Sequence, residues 1–200
     1  FFFGLILASS WLVVQEIDRW RMNVASSFVI GTVLAYMVTS ISPAAVEPTP
    51  LMIFFSGMIA ICAMILPGIS GSFILLLLGM YAPILAAVKA VDLNTLGLFI
   101  VGCVIGLLSF SRVLNWMFTS YRTTTLALLG GFMLGSLNKV WPWKYTSAYT
   151  INRHGEEVPL VQENILPASY EAMTGQDAYL AMSLVLMAAG AALVVLLART

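Results

Sequence analysis

The stretch Pro67-Gly68-Ile69-Ser70-Gly71-Ser72 interrupts a hydrophobic run that otherwise extends from Leu51 to Val88. Lipid offers no hydrogen-bond partner to the backbone groups that a broken helix leaves free, so such a break must lie against protein or line a polar cavity. Broken hydrophobic helices of this kind are typical of the binding sites of transporters. The break therefore indicates both a helical membrane fold and the position of a site within it.

The composition of the 200 residues places the chain in a bilayer. Hydrophobic residues make up 60% of the chain and charged residues 9%, whereas soluble domains carry roughly 25% charge. The formal net charge is +0, and no block of like charge indicates nucleic-acid binding. We therefore expect an integral membrane protein with the bilayer as its surroundings and no nucleic-acid partner.

Apolar stretches near the length of about 20 residues that crosses a bilayer recur along the chain. All are typical of helices, and no alternating ten-residue pattern indicates a barrel. The first predicted helix ends near Val14, and the others cover about 24–41, 51–66, 73–88, 95–118, 123–141 and 178–198. The sequence thus predicts an all-α, multi-pass membrane protein with one transmembrane domain over 1–200 and an extramembrane loop over about 142–176.

The interrupted pair 51–66 and 73–88 is compatible with two arrangements. Each half has about 16 residues, or roughly 24 Å at 1.5 Å per residue, against a hydrocarbon core of about 30 Å. Either both halves enter and leave at the same face as a re-entrant hairpin, or each is a tilted span. Pro67, the glycines and the lack of charge in the link favour the re-entrant hairpin.

The break has the residue types of an anion cradle. A helix that begins just after Gly71 would point its free backbone N–H groups and its positive dipole end toward the break. Ser70 and Ser72 add hydroxyl groups, and the missing side chains at Gly68 and Gly71 let an anion approach the backbone. This arrangement suits phosphate or carboxylate. The alternative is a packing hinge whose serines cap the following helix.

Arg112 is the second candidate, because it puts a permanent cation inside the predicted helix 95–118. A charge at membrane depth costs at least about 2.5 kcal/mol unless it is paired or reaches water. The guanidinium group also suits bidentate contact with phosphate. Alternatively, the side chain extends to the interface, since the predicted helix ends about six residues later.

Nothing in the sequence is typical of an enzyme or of a metal site. Ser72 has no nearby general base, without which serine is a poor nucleophile, and no pair of carboxylates lies inside a predicted helix. His154 is the only histidine and has no second His or Cys near it, whereas metal ligands come in clusters. Cys62 and Cys103 are typical of small buried hydrophobic residues. We predict a protein that is not an enzyme and holds neither a metal nor a cofactor.

Three stretches occur together in a distinctive order: FFFGLILASS at 1–10, PGISGSFILLLLGMY at 67–81 and GSLNKVWPWK at 135–144. Together they resemble the bacterial polyprenyl-phosphate transporter family, once catalogued as a domain of unknown function. The resemblance implies a multi-pass protein of the bacterial inner membrane that returns undecaprenyl phosphate, the lipid carrier of cell-wall precursors, to the cytoplasmic leaflet. Such a cargo needs an anion cradle for its headgroup and an apolar groove for its tail.

The resemblance also implies a paired site. Family members have two related halves, each with a Pro-Gly-x-Ser-Gly break, whereas this sequence has one such break. We therefore expect a fragment that lacks the N-terminal repeat of an inverted-repeat transporter. The residues carried over to the headgroup site are Pro67, Gly68, Ser70, Gly71 and Ser72, with Arg112 as the first candidate for the charge partner and Lys139 as the second.

Lys139 has an alternative role as an ordinary anchor for lipid headgroups at the interface. The function also has alternatives. The protein would be an ion-coupled carrier or channel if the carbonyl groups of the break coordinated a small ion. It would be a carrier of another substrate if the break bound a different anion. It would be a structural scaffold if the break were only a hinge. A coupled transporter would use a proton or a sodium ion.

Overall fold

The computed structural model describes residues 1–17, 19–41, 46–151 and 157–198. His154 lies outside these residues. Within them the chain forms helices and one antiparallel β-hairpin. The helices are α1 (Phe2–Gln15), α2 (Met22–Ser40), α3 (Pro50–Ile65), α4 (Gly71–Leu77), α5 (Tyr81–Ala90), α6 (Leu93–Ser120), α7 (Arg122–Val140), α8 (Pro167–Thr174) and α9 (Leu180–Leu197), and the strands are β1 (Lys144–Ile151) and β2 (Glu157–Asn164). The predicted helical membrane fold is confirmed.

Three of these helices, α2, α6 and α9, are long and apolar enough to cross a membrane. The bent pair α4 and α5 adds a fourth span if the two are counted together, while α1 and α3 are shorter apolar helices. The 28-residue α6 measures roughly 42 Å, longer than a hydrocarbon core of about 30 Å. The chain is a multi-pass membrane protein.

The prediction of one helix over 73–88 is wrong in one respect, because the structure has two helices, α4 and α5, in this part of the chain. The chain bends by 109° between α4 and α5. Gly79 lies at this bend with a φ of 70°, a left-handed conformation that glycine adopts without the steric cost of a Cβ. Met80 beside it is fully buried, so packing holds the bend in place.

The predicted loop over 142–176 contains regular structure. Strands β1 and β2 pair from Lys144 opposite Asn164 to Ile151 opposite Glu157. Residues of the β1 segment are largely β-branched or aromatic, which favours a strand over a helix. Trp143 anchors this segment, since its Nε1 donates to the Ala178 carbonyl at 2.9 Å.

Helices α2 and α7 form a close parallel pair. A Cβ at Gly131 or Gly135 would collide with the backbone carbonyl of Phe28 or Thr32, respectively. The two helices run in the same direction, because residues later in α2 face residues later in α7. At their ends the Asn138 side chain donates to hydroxyl groups of α2. Glycines let the two backbones approach this closely.

Helices α3 and α6 form a second parallel pair. Gly102 lies against the Phe54 carbonyl and Gly106 against Met58, and the Cys103 thiol donates to the Gly57 carbonyl at 3.4 Å. Because the two helices are parallel, their first residues lie at the same end of the molecule.

Helix α4 folds back along α3. Near the end of α3, Ala63 packs with Ile74 of α4. Near its start, Ile53 packs with Met80 and Ile84. Helices α3 and α4 thus form an antiparallel helical hairpin, and we call residues 66–70, which join them, the hairpin tip.

Candidate functional site

The hairpin tip begins where α3 ends, at Ile65. Gly68 has a φ of 90°, which residues with a side chain rarely adopt. A Cβ at this position would also lie 2.5 Å from Ser136 Oγ and 2.9 Å from Ser136 Cβ. Glycine is therefore required both for the turn and for the close approach of the tip to α7.

The two serines of the break form a hydroxyl pair. Ser70 Oγ and Ser72 Oγ lie 2.8 Å apart, within hydrogen-bonding distance, and both residues are exposed. Ser70 occupies the N-cap position of α4, yet its side chain makes no capping hydrogen bond. One hydroxyl donates to the other, so the second hydroxyl keeps its hydrogen for another acceptor. The pair is therefore available to a ligand and does not act as a helix cap.

Helix α4 begins at Gly71, as predicted, but it ends after seven residues. The helix dipole arises from aligned peptide groups, so a helix of this length contributes less positive potential than the long helix predicted from the sequence. Charge at the tip must therefore come mainly from side chains.

Lys139 supplies such a charge. Its Nζ lies 4.7 Å from the centroid of the Phe73 ring, and Phe73 is the third residue of α4. A cation over an aromatic face gains roughly 0.5–1 kcal/mol at an exposed site. The ammonium group is thus held beside the break, although the sequence ranked Lys139 behind Arg112.

Lys144 is a second cation at this end of α7, and sequence reasoning missed it. Its Nζ donates to the Lys139 carbonyl at 2.7 Å. Burial, together with the neighbouring charge of Lys139, lowers the pKa of the Lys144 ammonium. Pro142, which lies between the two lysines in the sequence, was the available signal that they lie close together. Proline cannot continue a helix, so the chain changes direction after Lys139. In the described part of the chain, neither lysine pairs with a carboxylate.

A polar network fixes the end of α7 that carries Lys139. Asn138 Nδ2 donates to Thr39 Oγ1 at 3.3 Å and to Ser40 Oγ at 3.2 Å. Asn164, at the end of β2, donates to the Asn138 carbonyl and side-chain oxygens at 2.7 and 2.6 Å. Because α2, α7 and the β-hairpin meet here, the position of Lys139 is set by three elements.

Arg112 lies apart from this network. It is exposed on α6, and among the residues described it has no hydrogen bond, ion pair or ring contact. Helix α6 meets α3 through Gly102 and Gly106, at least six residues earlier. The structure therefore brings together the serines, the glycines and Lys139, while the role of Arg112 stays a prediction.

A family model and a curated relative match this chain over most of its length. The family model VCA0040-like, described as undecaprenyl phosphate translocase-like, matches residues 1–158. A polyprenyl-phosphate transporter of Vibrio cholerae serotype O1 is 51% identical over 194 residues, which are 97% of this chain and 63% of the relative. A polyprenyl-phosphate transporter of Staphylococcus aureus is 41% identical over 95 residues, which are 44% of this chain and 34% of the relative.

No solved structure matches the chain. The chain spans less than two thirds of the length of both curated relatives. The family match nevertheless covers well over half of the chain and includes the hairpin tip and Lys139. The chain therefore belongs to the VCA0040-like family of undecaprenyl phosphate translocase-like proteins.

Proposed function

We propose that this protein is a transporter, not an enzyme, and that it returns undecaprenyl phosphate across the bacterial inner membrane for cell-envelope synthesis. The names of the two relatives and of the family support a polyprenyl phosphate as the cargo. The observation that carries the proposal is the position of Lys139 over the ring of Phe73, the residue that follows Ser72 in the broken membrane helix. A proton or a sodium ion would drive the movement.

The hairpin tip would hold the phosphate headgroup. A phosphate monoester carries about −1.5 to −2 charges at neutral pH, which Lys139 and Lys144 together would balance. The Ser70 and Ser72 hydroxyls would donate to its oxygens. Charge-assisted hydrogen bonds of this kind are roughly twice as strong as neutral ones.

Apolar surface next to the tip suits the isoprenoid tail. Met64, near the end of α3, and Leu76 of α4 are both exposed. An isoprenoid chain would lie against such side chains while the headgroup contacts the tip. In this proposal α3 and α4 form the re-entrant hairpin that the sequence favours, which gives the headgroup a polar position within the membrane.

Small cations suit the tip less well than anions. Carbonyl groups at a helix break coordinate cations in some transporters, but Lys139 lies beside this break, and like charges repel. A coupled carrier of some other small anion is the main alternative. It predicts that inorganic phosphate or a carboxylate would compete fully with the lipid.

The experiment is leaflet exchange of a labelled polyprenyl phosphate in liposomes that contain the full-length protein under a proton or sodium gradient. We expect Lys139→Gln, and the double variant Ser70→Ala/Ser72→Ala, each to slow exchange at least about tenfold, the effect of roughly 1.4 kcal/mol. Lys89→Gln is the matched control, because Lys89 is an exposed lysine in the last turn of α5. Arg112→Ala tests the other candidate separately.

Two results would overturn different parts of the proposal. Full exchange by folded Lys139→Gln and by the double-serine variant would remove the headgroup site from the hairpin tip. Loss of exchange in Arg112→Ala alone would then move the site to α6. No exchange by the intact protein under either gradient would reject the transporter itself.

A further inference from the structure

Three arginines surround a cavity at the other end of α7. The cavity has a volume of about 400 Å³ and is lined by Arg19, Arg21 and Arg122. The hydroxyl residues Ser120 and Thr123 also contribute to its wall. Ligand cavities measure about 300–1,000 Å³, so this one is large enough for a phosphate group and its neighbouring atoms.

The charge of this cavity is positive. Among the described side chains around it, Glu16 is the single carboxylate, and its oxygen lies 4.0 Å from the guanidinium of Arg122. Both side chains are more than 60% exposed, so the pair is weak. Among these described side chains, three guanidinium groups outnumber one carboxylate. Asp18 lies outside the described residues.

Two helices begin beside the same cavity. Helices α2 and α7 have no acidic residue in their first turns, and neither N-cap side chain makes a capping hydrogen bond. Their first N–H groups therefore add to the positive potential that the arginines create. The arginines supply the full charges, and the helix ends reinforce them.

A second, apolar cavity shares the segment 19–21 with the first as part of its wall. It has a volume of about 530 Å³, and Trp20, which lies between Arg19 and Arg21 in the sequence, forms part of its wall together with Phe28. The Trp20 and Phe28 rings meet edge to face at 5.9 Å. Its other lining residues come from α1, α7 and α9: Leu7, Ala8, Ser10, Trp11, Val14, Leu134 and Ala191.

The shape and chemistry of the two cavities match one kind of ligand. A cationic cavity that shares part of its wall with an apolar one accepts a molecule with an anionic head and a hydrocarbon chain. Trp11, which lines the apolar cavity, is 63% exposed, so this cavity is open at the surface of the described structure.

We propose that the two cavities form a second lipid site, which binds the phosphate monoester of a polyprenyl phosphate among Arg19, Arg21 and Arg122 and its first isoprenoid units beside Trp20. Arg122 and Lys139 lie at opposite ends of α7, which packs in parallel along α2. Helix α2 is a candidate membrane span, and its 19 residues measure roughly 28 Å. This length is close to a hydrocarbon core of about 30 Å. The second site therefore faces the leaflet opposite the hairpin tip, where a translocated headgroup would arrive or depart.

The identity of the lipid rests on the proposed function, but binding at this site is measured separately from transport. The experiment uses the full-length protein in nanodiscs of uncharged lipid, with a polyprenyl phosphate that carries a photoreactive group in its first isoprenoid unit. Mass spectrometry then locates the labelled peptides. We expect labelling of the peptide that contains Trp20 even when no gradient is applied.

Variants and competitors distinguish the possible ligands. We expect Arg19→Gln/Arg122→Gln to reduce labelling at Trp20 at least about tenfold, while the control Lys89→Gln leaves it unchanged. Unlabelled polyprenyl phosphate should compete, whereas the parent alcohol, inorganic phosphate and phosphatidylglycerol at the same concentration should not.

Each contrary result has a definite meaning. Equal labelling by the alcohol analogue would overturn the role of the arginines. Equal competition by phosphatidylglycerol would show a general site for anionic lipids, and equal competition by inorganic phosphate would show a site for the free anion; either would overturn the assignment to a polyprenyl phosphate. Labelling at Trp20 without any leaflet exchange would support this site and reject the proposed transport. Leaflet exchange without labelling at Trp20 would support the proposed transport and reject this site.

Discussion

The Lys139 ammonium group lies 4.7 Å from the centroid of the Phe73 ring, and this contact joins the end of α7 to the beginning of α4. Gly68 makes a second connection between the same elements, since it lies directly against Ser136. The hairpin tip and the last two turns of α7 are therefore one structural unit. A ligand at the serine pair would be in reach of a cation that lies 67 residues away from Ser72 along the chain.

The contact between Lys139 and Phe73 yields the first prediction. Phe73→Leu keeps an apolar side chain but removes the aromatic face, so Lys139 loses roughly 0.5–1 kcal/mol of positioning energy. We expect the apparent Kd of the full-length protein for polyprenyl phosphate to rise by about two- to fivefold. Phe118→Leu is the control, because Phe118 is an exposed residue of α6. Equal changes in the two variants would contradict a specific role for the ring.

Docking of the hairpin tip is the subject of the second prediction. Gly68→Ala introduces a Cβ 2.5 Å from Ser136 Oγ at a φ of 90°, and we expect it to destabilise the protein by about 1–3 kcal/mol. Thermal unfolding in detergent measures the change. Gly97→Ala in α6 is the control, since a Cβ there meets no atom within 4 Å.

A double variant separates the two causes of this destabilisation, which are the collision with Ser136 and the unfavourable φ at residue 68. Gly68→Ala/Ser136→Gly removes the collision but keeps the unfavourable φ, so it should recover part of the lost stability. If Gly68→Ala unfolded at the same temperature as Gly97→Ala, the tip would not dock on α7 as described.

Two neighbouring glycines of α7 yield the third prediction. A Cβ at Gly131 would collide with the Phe28 carbonyl, whereas a Cβ at Gly130 would make ordinary contacts at 3.5 Å or more. Gly131→Ala should therefore separate α2 from α7 at a cost of about 1–3 kcal/mol. Gly130→Ala should be neutral or stabilising by up to about 1 kcal/mol, because alanine favours helix. Comparable losses in both variants would contradict this helix pairing.

The sequence predicted the parts of the fold that depend on hydropathy along the chain. The start of α4 at Gly71 follows from local residue types. The bend at Gly79 was not predicted, because residues 75–78 are apolar and typical of a continuous helix. The packing of Met80 against Ile53 and Ile84 stabilises the bend. The β-hairpin within 142–176 was also not predicted, although the β-branched and aromatic residues of β1 favour a strand.

The sequence named the backbone of the hairpin tip and Lys139 as candidates for the site, but it ranked Arg112 ahead of Lys139. Hydropathy places Arg112 inside a helix, yet it does not give the side of the helix on which a residue lies or the neighbours it meets. Lys139 reaches the break because α7 and α4 pack together and Asn138 ties the end of α7 to α2. Such long-range contacts depend on tertiary packing and have no local sequence signal.

Lys144 yields the last prediction, which concerns pH. Burial is the main cause that lowers its pKa below the ordinary value of 10.5, and the charge of Lys139 is the second. Between the lowered pKa and 10.5 the unfolded chain binds more protons than the folded protein, so this group makes the folded protein more stable as the pH rises through that window. Below the window both states are protonated, and the pH dependence from this group disappears.

Amine acylation followed by mass spectrometry tests this directly, because only the neutral amine reacts. The pH midpoint of labelling at Lys144 should be lower in the folded protein than in a short peptide with the same lysine. Lys139→Gln should move that midpoint partway back, since it removes the second cause and leaves burial in place. Added polyprenyl phosphate should raise it, because a nearby anion favours the charged amine. A midpoint equal to that of the peptide would show that Lys144 is neither buried nor close to Lys139.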